Sequence, residues 1–139
     1  MDDSETTIIA VAVVEHDRQY LIGKRPPGVP LAGYCEFPGG KVHPGETPAA
    51  AAERECLEET GLQVEVVRQL DAAVHDYDHG QLQLHFFLCG LSTYNLLKGA
   101  EPQAPFRWMD AEGMRSCEFP PANQRVLSIL QGIAKEPSA

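Results

Sequence analysis

Positive charge is scarce in this sequence. Lysine and arginine number 11 against 20 aspartate and glutamate residues, which gives a formal net charge of −9 over 139 residues. Because DNA and RNA backbones are bound through clustered cations, this balance disfavours nonspecific nucleic-acid binding. An anionic small molecule is not excluded, since a few cations or a metal ion can neutralise it locally. We therefore expect a small-molecule ligand and no stable nucleic-acid complex.

Paired cysteines and long apolar runs are also missing. The four cysteines contain no Cys-x-x-Cys pair, so we expect buried free thiols. The apolar runs are too short to span a bilayer, and the start Met1-Asp2-Asp3-Ser4-Glu5 is acidic where a signal peptide would be basic. These features predict a cytoplasmic protein that does not bind membranes.

The sequence shows no internal repeat, low-complexity segment or linker. Its length suits one domain and is sufficient to bury a core. We expect a single domain over residues 1–139, in which residues 1–5 and 135–139 are flexible termini.

The pattern of apolar residues predicts a mixed β-sheet with helices. Strands are predicted over residues 7–14, 20–22, 64–70, 72–77, 81–89 and 106–109. Turns are predicted at 16–19 and 78–80, a surface loop at the proline-rich residues 26–30, and a long loop over 91–105. A short helix is predicted over 110–116. A final amphipathic helix opens at Pro120 and buries Val126, Leu127, Ile129, Leu130 and Ile133.

A central helix is predicted over Pro48 to Thr60. Thr47 is a suitable N-cap, Pro48 suits the first helical position, and Gly61 suits the left-handed stop. The predicted apolar stripe consists of Ala49, Ala52 and Cys56.

The same helix carries three neighbouring carboxylates, Glu55, Glu58 and Glu59, within an arc of about 100°. Like charges at this spacing repel by roughly 0.2–0.5 kcal/mol per pair, so the helix alone gains nothing from the cluster. A divalent cation would reverse that sign, and oxygen ligands suit Mg²⁺ or Mn²⁺. The pattern predicts a metal-dependent phosphate site, and the alternative is a solvated acidic face.

This stretch resembles the Nudix box. The matching positions are Gly40, Glu46, Arg54, Glu55, the apolar Cys56, Leu57, Glu58, Glu59, Thr60, Gly61 and Leu62. The resemblance implies an α+β Nudix fold, a mixed sheet sandwiched between helices with the box as loop, helix and loop. It also implies hydrolysis of a diphosphate by water with Mg²⁺, for which Mn²⁺ can substitute.

Roles for the box residues follow from the resemblance. Metal ligands would be Glu55, Glu58, Glu59 and the carbonyl of Gly39. Arg54 would pair with a box carboxylate and fix its rotamer, and Glu46 would be an acid behind the metal ligands; the alternative is that both are purely structural i,i+4 or capping partners. The family places a further glutamate in the loop before a tryptophan strand, where Glu101 is the candidate; an exposed loop acid is the alternative.

Two stretches outside the box, Glu36 to Lys41 and Phe119 to Asn123, are similar to MutT-like members of the family. The resemblance implies that Asn123 binds the purine base, while the alternative is that it caps its helix. Phe37 is a candidate to flank the base, and the alternative is that it is a core residue. Three cations, Arg25, Lys41 and Lys24, are candidates to lie near phosphate. The alternative is that they are solvated surface cations.

The implied reaction is hydrolysis of a nucleoside triphosphate, oxidised or not, such as 8-oxo-dGTP, to the monophosphate and pyrophosphate. For the oxidised nucleotide this would be a DNA-repair role. Alternatives are CTP, a dinucleoside polyphosphate or a nucleotide sugar as substrate, or a nucleotide-binding domain without turnover. The oligomeric state is left open between monomer and homodimer.

Overall fold

One mixed sheet of seven strands forms the framework of the protein. The computed structural model describes residues 5–134. Its strands are β1 (Glu5–His16), β2 (Gln19–Lys24), β3 (Cys35–Glu36), β4 (Gly39–Lys41), β5 (Val64–Tyr77), β6 (Gly80–Leu91) and β7 (Arg107–Asp110). The helices are α1 (Pro48–Thr60), α2 (Thr93–Lys98), α3 (Ala111–Arg115) and α4 (Gln124–Ala134), with a 3₁₀ turn at Pro121–Asn123.

Strand β1 lies at the centre of the sheet. The order is β3-β2-β1-β6-β5, with β4 paired to β1 and β7 paired to β2. The β1 and β6 strands run parallel, with Glu5 opposite Gly80 and Val14 opposite Cys89, while the other pairs are antiparallel. The predicted mixed sheet is therefore confirmed.

The side chains of β1 alternate between two cores, one on each face of the sheet. Ala10, Ala12 and Val14 pack with α1, whereas Val11 and Val13 pack with α4. Because β1 is covered on both faces, its sequence is a continuous apolar run rather than an alternating one. The helices thus sandwich the sheet, as the α+β expectation requires.

Helix α1 is confirmed at its predicted boundaries, Pro48–Thr60. The Thr47 side chain accepts a hydrogen bond from the Ala50 amide at 3.1 Å, and Gly61 takes the left-handed conformation at φ 79°. The predicted apolar stripe is partly wrong, because Ala51 is fully buried and Ala49 only half-buried. Helix α1 therefore packs a wider face than the stripe indicated.

Several predicted elements need correction. The two strands predicted at 64–70 and 72–77 are one strand, β5, with irregular pairing between Val66 and Arg68 and between Gln69 and Asp71. Such bulges interrupt the alternation on which the prediction rested. The loop predicted at 91–105 contains α2, and the short strands β3 and β4 were not predicted. Their pairings are with distant strands, which local patterns do not indicate.

The other predicted elements agree with the structure. The turns, the loop at 26–30, the β7 strand and the α3 helix are present, and α4 buries Val126 and Leu130 completely. Its neighbours Leu127, Ile129 and Ile133 are half-buried. All four cysteines are free, with Cys117 half-buried and the others buried.

Two expectations concern the chain ends and membranes. Apart from Glu5, the first residue of β1, the residues expected to form flexible termini lie outside the described part. None of the helices formed by residues 5–134 has the length and hydropathy needed to traverse a bilayer.

Candidate active site

Two glycines allow β4 to fit between β1 and the α1 side chains. A Cβ atom at Gly39 would lie 2.5 Å from the Ala10 carbonyl oxygen, and one at Gly40 would lie 2.5 Å from the Glu55 carboxyl carbon. The strand is fixed by its pairing with β1 from Ile9 to Val11. Glu55 is therefore held against a backbone that has no side chain in between.

Arg54 connects the acidic residues of the box. Its guanidinium donates to both oxygens of Glu46 at 2.7 and 3.0 Å, to Glu55 at 3.0 Å and to Glu58 at 3.1 Å. It also donates to the Lys41 carbonyl at 3.0 Å, which ties α1 to β4. The repulsion expected between Glu55 and Glu58 is thus partly offset within the chain by Arg54.

Glu46 is fixed from two sides. Besides the Arg54 fork, it accepts a hydrogen bond from the His43 amide at 3.0 Å. The Arg54 hydrogen bonds, followed by that from His43, lower the pKa of Glu46 to about 2. Glu46 is therefore a permanent anion at neutral pH that holds Arg54 in place.

Glu59 lies in a different environment, away from the Arg54 fork. It accepts a hydrogen bond from the Gly39 amide at 3.2 Å, which links α1 to β4 a second time. Burial is the main cause that raises the pKa of Glu59 to about 7; the Gly39 hydrogen bond opposes the shift, and the charges of Glu55 and Glu36 add to it. Two carboxyl groups, those of Glu55 and Glu59, therefore lie against Gly40 and Gly39, and the charge of Glu36 acts on Glu59.

The donor set of this cluster fits a divalent cation. Within residues 5–134 no group of three or more histidine, cysteine, aspartate or glutamate side chains is arranged as a complete metal-binding cluster. Glu55 and Glu59 nevertheless supply adjoining carboxylate oxygens, and burial, with the Glu55 charge adding to it, raises the pKa of Glu59. Hard oxygen ligands of this kind suit Mg²⁺, which completes its shell with water and phosphate. These side chains could hold such an ion.

The remaining box candidates are more exposed. The Glu58 side chain is 55% exposed and its carboxylate lies on Arg54, so it would have to leave that partner to bind a metal. Lys41 is exposed and contributes its carbonyl to Arg54. Glu101 is exposed in the loop between α2 and β7, and its side chain forms no hydrogen bond or ion pair within residues 5–134. The described contacts do not connect Glu101 to the box.

Two candidate substrate residues, Phe37 and Asn123, lie outside the box. Phe37 is buried and stacks on Phe119, with ring centroids 5.3 Å apart. Asn123 is 9% exposed and donates from Nδ2 to the Pro120 carbonyl at 3.3 Å. No hydrogen bond to its Oδ1 is found in the described part of the chain, and the amide does not cap α4. An acceptor oxygen of Asn123 thus remains available.

Arg25 is held by its own loop. Its Nε donates to the Pro30 carbonyl at 2.7 Å, and its Nη1 lies 3.7 Å from Glu36. Arg25 is therefore connected to the carboxyl cluster through Glu36.

Sequence reasoning did not single out Glu36. Burial raises its pKa and the Arg25 charge opposes the shift, and its own charge acts on Glu59. Glu36 precedes Glu59 by more than twenty residues, and the β3 pairing with β2 that positions it leaves no periodic pattern. Its place before the Pro-Gly-Gly turn was the one available signal.

Comparison with known proteins identifies the family. A family model described as the NUDIX domain matches residues 9–128. This chain belongs to the Nudix family. A curated Nudix relative, the 8-oxo-dGTP diphosphatase of Escherichia coli strain K12, is 29% identical, covering 88% of this chain and 95% of that protein. The CTP pyrophosphohydrolase of the same organism is 40% identical over 58 residues, 42% of this chain and 43% of that protein.

The Nudix fold is also shared with solved structures. The MutT protein from Methanosarcina mazei Go1 superposes with a TM-score of 0.75 at 19% identity, covering 96% of this chain and 99% of the other. The protein is a MutT-like Nudix hydrolase, and its reaction class is hydrolysis of pyrophosphate bonds.

Proposed function

We propose that this Nudix hydrolase cleaves a nucleoside triphosphate, such as 8-oxo-dGTP, to the monophosphate and pyrophosphate with the help of Mg²⁺. Support for the substrate class comes from a relative that carries the name 8-oxo-dGTP diphosphatase and aligns over 95% of its length. Removal of an oxidised nucleotide before it is incorporated would be a DNA-repair role.

The position of Glu55 against Gly40 and of Glu59 against Gly39, with the charge of Glu36 acting on Glu59, is the observation that carries this proposal. Close packing of like charges is unfavourable for the chain alone. Burial of Glu59 adds to this unfavourable term, and the Gly39 amide offsets only part of it. A site that keeps buried, mutually repelling carboxylates in the free protein is suited to bind a cation with its phosphate ligand.

Each side chain then has a distinct role in the proposed reaction. A bound divalent cation supplies neutralisation of phosphate charge and makes a nearby water more acidic. Glu55 and Glu59 would hold the ion, and Glu58 would join them only if its carboxylate were released from Arg54. Arg54, fixed by Glu46, keeps Glu55 directed at Gly40 and so preserves the arrangement between turnovers.

Base recognition is assigned in this proposal to Asn123. Its Nδ2 is engaged with the Pro120 carbonyl at 3.3 Å, a long hydrogen bond that a ligand can replace, and its Oδ1 is an available acceptor. The Phe37 and Phe119 stack joins β4 to the segment before Asn123, so the base and phosphate regions are connected through packed rings. Phe37 acts here by positioning, since it is buried.

CTP is the second candidate substrate, supported by the shorter similarity to the CTP pyrophosphohydrolase. A binding domain without turnover is less well supported, because all the box acids are present, with Glu46, Glu55 and Glu58 paired to Arg54 and Glu59 bonded to the Gly39 amide.

A substrate panel tests the proposal. Purified protein with Mg²⁺ would be offered 8-oxo-dGTP, dGTP, CTP, a dinucleoside polyphosphate and a nucleotide sugar, and release of pyrophosphate and of phosphate would be measured separately. We expect pyrophosphate from a purine triphosphate, no activity in chelator, and recovery with Mg²⁺ or Mn²⁺. Undiminished turnover in chelator, or hydrolysis restricted to nucleotide sugars, would refute it.

A further inference from the structure

A second cleft lies outside the box, between β3, β7 and the segment that follows α3. Its volume is about 550 Å³, and its lining includes Lys24, Cys35, Arg107, Met109 and Cys117. None of the box acids, nor Arg54, lines it. The cleft therefore needs an explanation separate from the proposed hydrolysis.

Two of the four cysteines meet in this cleft. The Cys35 amide donates to the Glu118 carbonyl at 2.7 Å, which fastens the main chain next to Cys117 onto β3. The Cys117 thiol lines the same cleft as Cys35 and donates to the Met109 sulfur at 3.5 Å. Cys35 is 1% exposed, whereas Cys117 is half-buried. A reagent in the cleft can thus reach Cys117 more readily than Cys35.

Two cations flank the thiols. Strand pairing places Lys24 opposite Cys35 and Ile22 opposite Arg107, so both cations extend from the sheet face that carries Cys35. Neither Lys24 nor Arg107 forms an ion pair among residues 5–134. Burial and the Cys117 thiol raise the pKa of Cys35 to about 12, while the charges of Lys24 and Arg107 oppose that shift. Because burial dominates, Cys35 stays protonated at neutral pH despite these two charges.

We propose that Cys35 and Cys117 form a peroxide-sensitive dithiol that oxidises to an intramolecular disulfide. The Cys117 sulfur attacks one oxygen of hydrogen peroxide, the O–O bond breaks, and the departing hydroxide takes up the Cys117 proton and leaves as water. Cys117 is now a sulfenic acid, oxidised by two electrons. The Cys35 sulfur then attacks the Cys117 sulfur, the S–O bond breaks, and the hydroxyl leaves with the Cys35 proton as a second water.

The disulfide would fix a segment important to the proposed function. Residues 117–123 run from Cys117 through Phe119, which stacks on Phe37, to Asn123. A covalent link to β3 would restrict the motion of that segment and so change nucleotide binding. This consequence rests on the proposed function, whereas formation of the disulfide does not.

The other two cysteines provide an internal control. Cys56 and Cys89 are 0% and 1% exposed and belong to the same core cluster. The Cys56 thiol lies 3.5 Å from the Thr60 hydroxyl, and the Cys89 thiol lies 3.6 Å from the Phe87 carbonyl. Neither lines the second cleft, so hydrogen peroxide should leave both unmodified while the protein is folded.

Peroxide treatment of the reduced, folded protein tests the proposal. After removal of peroxide, the protein would be unfolded, its remaining thiols alkylated, and its peptides mapped by mass spectrometry. We expect alkylation at Cys56 and Cys89 only, a disulfide between the Cys35 and Cys117 peptides, and full recovery of four thiols with dithiothreitol. A sulfinic or sulfonic acid at Cys117 without that disulfide, or a disulfide that includes Cys56 or Cys89, would overturn it.

Two variants complete the test. Cys117→Ser should abolish the disulfide and leave Cys35 alkylated, whereas Cys89→Ala should retain the disulfide. Retained cross-linking of Cys35 in Cys117→Ser would overturn the assignment. The rates of hydrolysis by oxidised and reduced wild type are compared last. If the substrate panel shows no hydrolysis, peptide mapping by mass spectrometry still decides whether the disulfide forms.

Discussion

Arg54 and Glu46, which are eight residues apart in the sequence, form a bidentate ion pair. The Arg54 Nε lies 2.7 Å from one carboxylate oxygen and its Nη2 lies 3.0 Å from the other. The remaining Arg54 donors reach Glu55, Glu58 and the Lys41 carbonyl. The orientation of the acidic helix face therefore depends on a loop residue outside the helix.

This ion pair predicts a pH dependence of stability. Glu46 ionises at about 2 in the folded protein and near 4.5 when unfolded, so its contribution is complete above pH 4.5 and disappears as the pH falls to about 2. Glu46→Gln should therefore melt below wild type at pH 7, and the gap should close between pH 4.5 and 2. Thermal melts across this range measure it. Glu65→Gln is the control, since Glu65 is exposed and has no ion pair among residues 5–134, and a gap that widens in acid would contradict the prediction.

The two glycines of β4 predict separable effects. In Gly40→Ala the new Cβ would lie 2.5 Å from the Glu55 carboxyl carbon, a flexible group that can turn away. Turnover should fall on the order of 10- to 100-fold while stability changes by less than about 1 kcal/mol. In Gly39→Ala the clash is with the Ala10 carbonyl, so stability should fall by about 1–3 kcal/mol. Gly90→Ala, which has open space around its Cβ, is the control. Full activity of Gly40→Ala would show that Glu55 need not lie there.

Glu58→Gln separates charge from stability. The Glu58 side chain is 55% exposed, and its pairing with Arg54 is of the i,i+4 type, so losing the charge should cost no more than about 0.5 kcal/mol. We expect kcat to fall on the order of 100-fold, because a metal ligand would be lost. Steady-state kinetics and chemical denaturation of both proteins decide it, again with Glu65→Gln for comparison. Wild-type turnover would return this face to a simple solvated helix surface.

Glu59→Gln should stabilise the protein in chelator. Glu59 ionises near 4.5 when unfolded but at about 7 when folded, so the free energy of unfolding falls as the pH rises from 4.5 to about 7 and stays lower above it. In the glutamine variant the free energy of unfolding should not fall in this way, and its side chain can still accept the hydrogen bond from the Gly39 amide. It should melt higher than wild type at pH 8 and equally below pH 4.5. Added Mg²⁺ at pH 8 should raise the wild-type melting temperature more than that of the variant, and equal shifts would remove Glu59 from the metal site.

Asn123→Ala tests base recognition. Loss of a bidentate amide contact should cost roughly 1–3 kcal/mol, or about 5- to 150-fold in kcat/KM, for the preferred nucleotide relative to the others. Loss of the Asn123 hydrogen bond to the Pro120 carbonyl should lower the free energy of unfolding by about 1 kcal/mol. Measurements with 8-oxo-dGTP, dGTP and CTP compare the variants. Asn95→Ala is the matched control. The Asn95 side chain accepts a hydrogen bond from the Gln63 backbone N–H and donates one to the Gly99 carbonyl, so its loss should lower stability and leave nucleotide selectivity unchanged. Equal losses for all three nucleotides with Asn123→Ala would exclude the base contact.

Local chemistry made part of the fold predictable. Helix α1 could be bounded to the residue because Thr47, Pro48 and Gly61 each act within one helical turn. The short β3 and β4 strands could not, because only pairing with β2 and β1 makes them strands. Helix α2 was read as loop, since six residues are too few to show a period and Gly99 ends them early.

The candidate site was predictable to a similar degree. The box acids follow from spacing on one helix, but the closeness of Glu36 to Glu59 depends on the path of β3. The opposite environments of Glu46 and Glu59, one paired with Arg54 and the other buried, also follow only from tertiary structure.

The parallel pairing of β1 with β6 has a consequence for how the chain folds. Val14 lies opposite Cys89, so the central strand lacks its parallel neighbour until about 75 further residues have left the ribosome. Pairing at this separation requires closure of a large loop before any contact compensates for it, which places folding toward the slow end for a chain of this size. During synthesis the apolar residues of β1 remain open to other chains, and the completion of β6 marks the point at which they are protected.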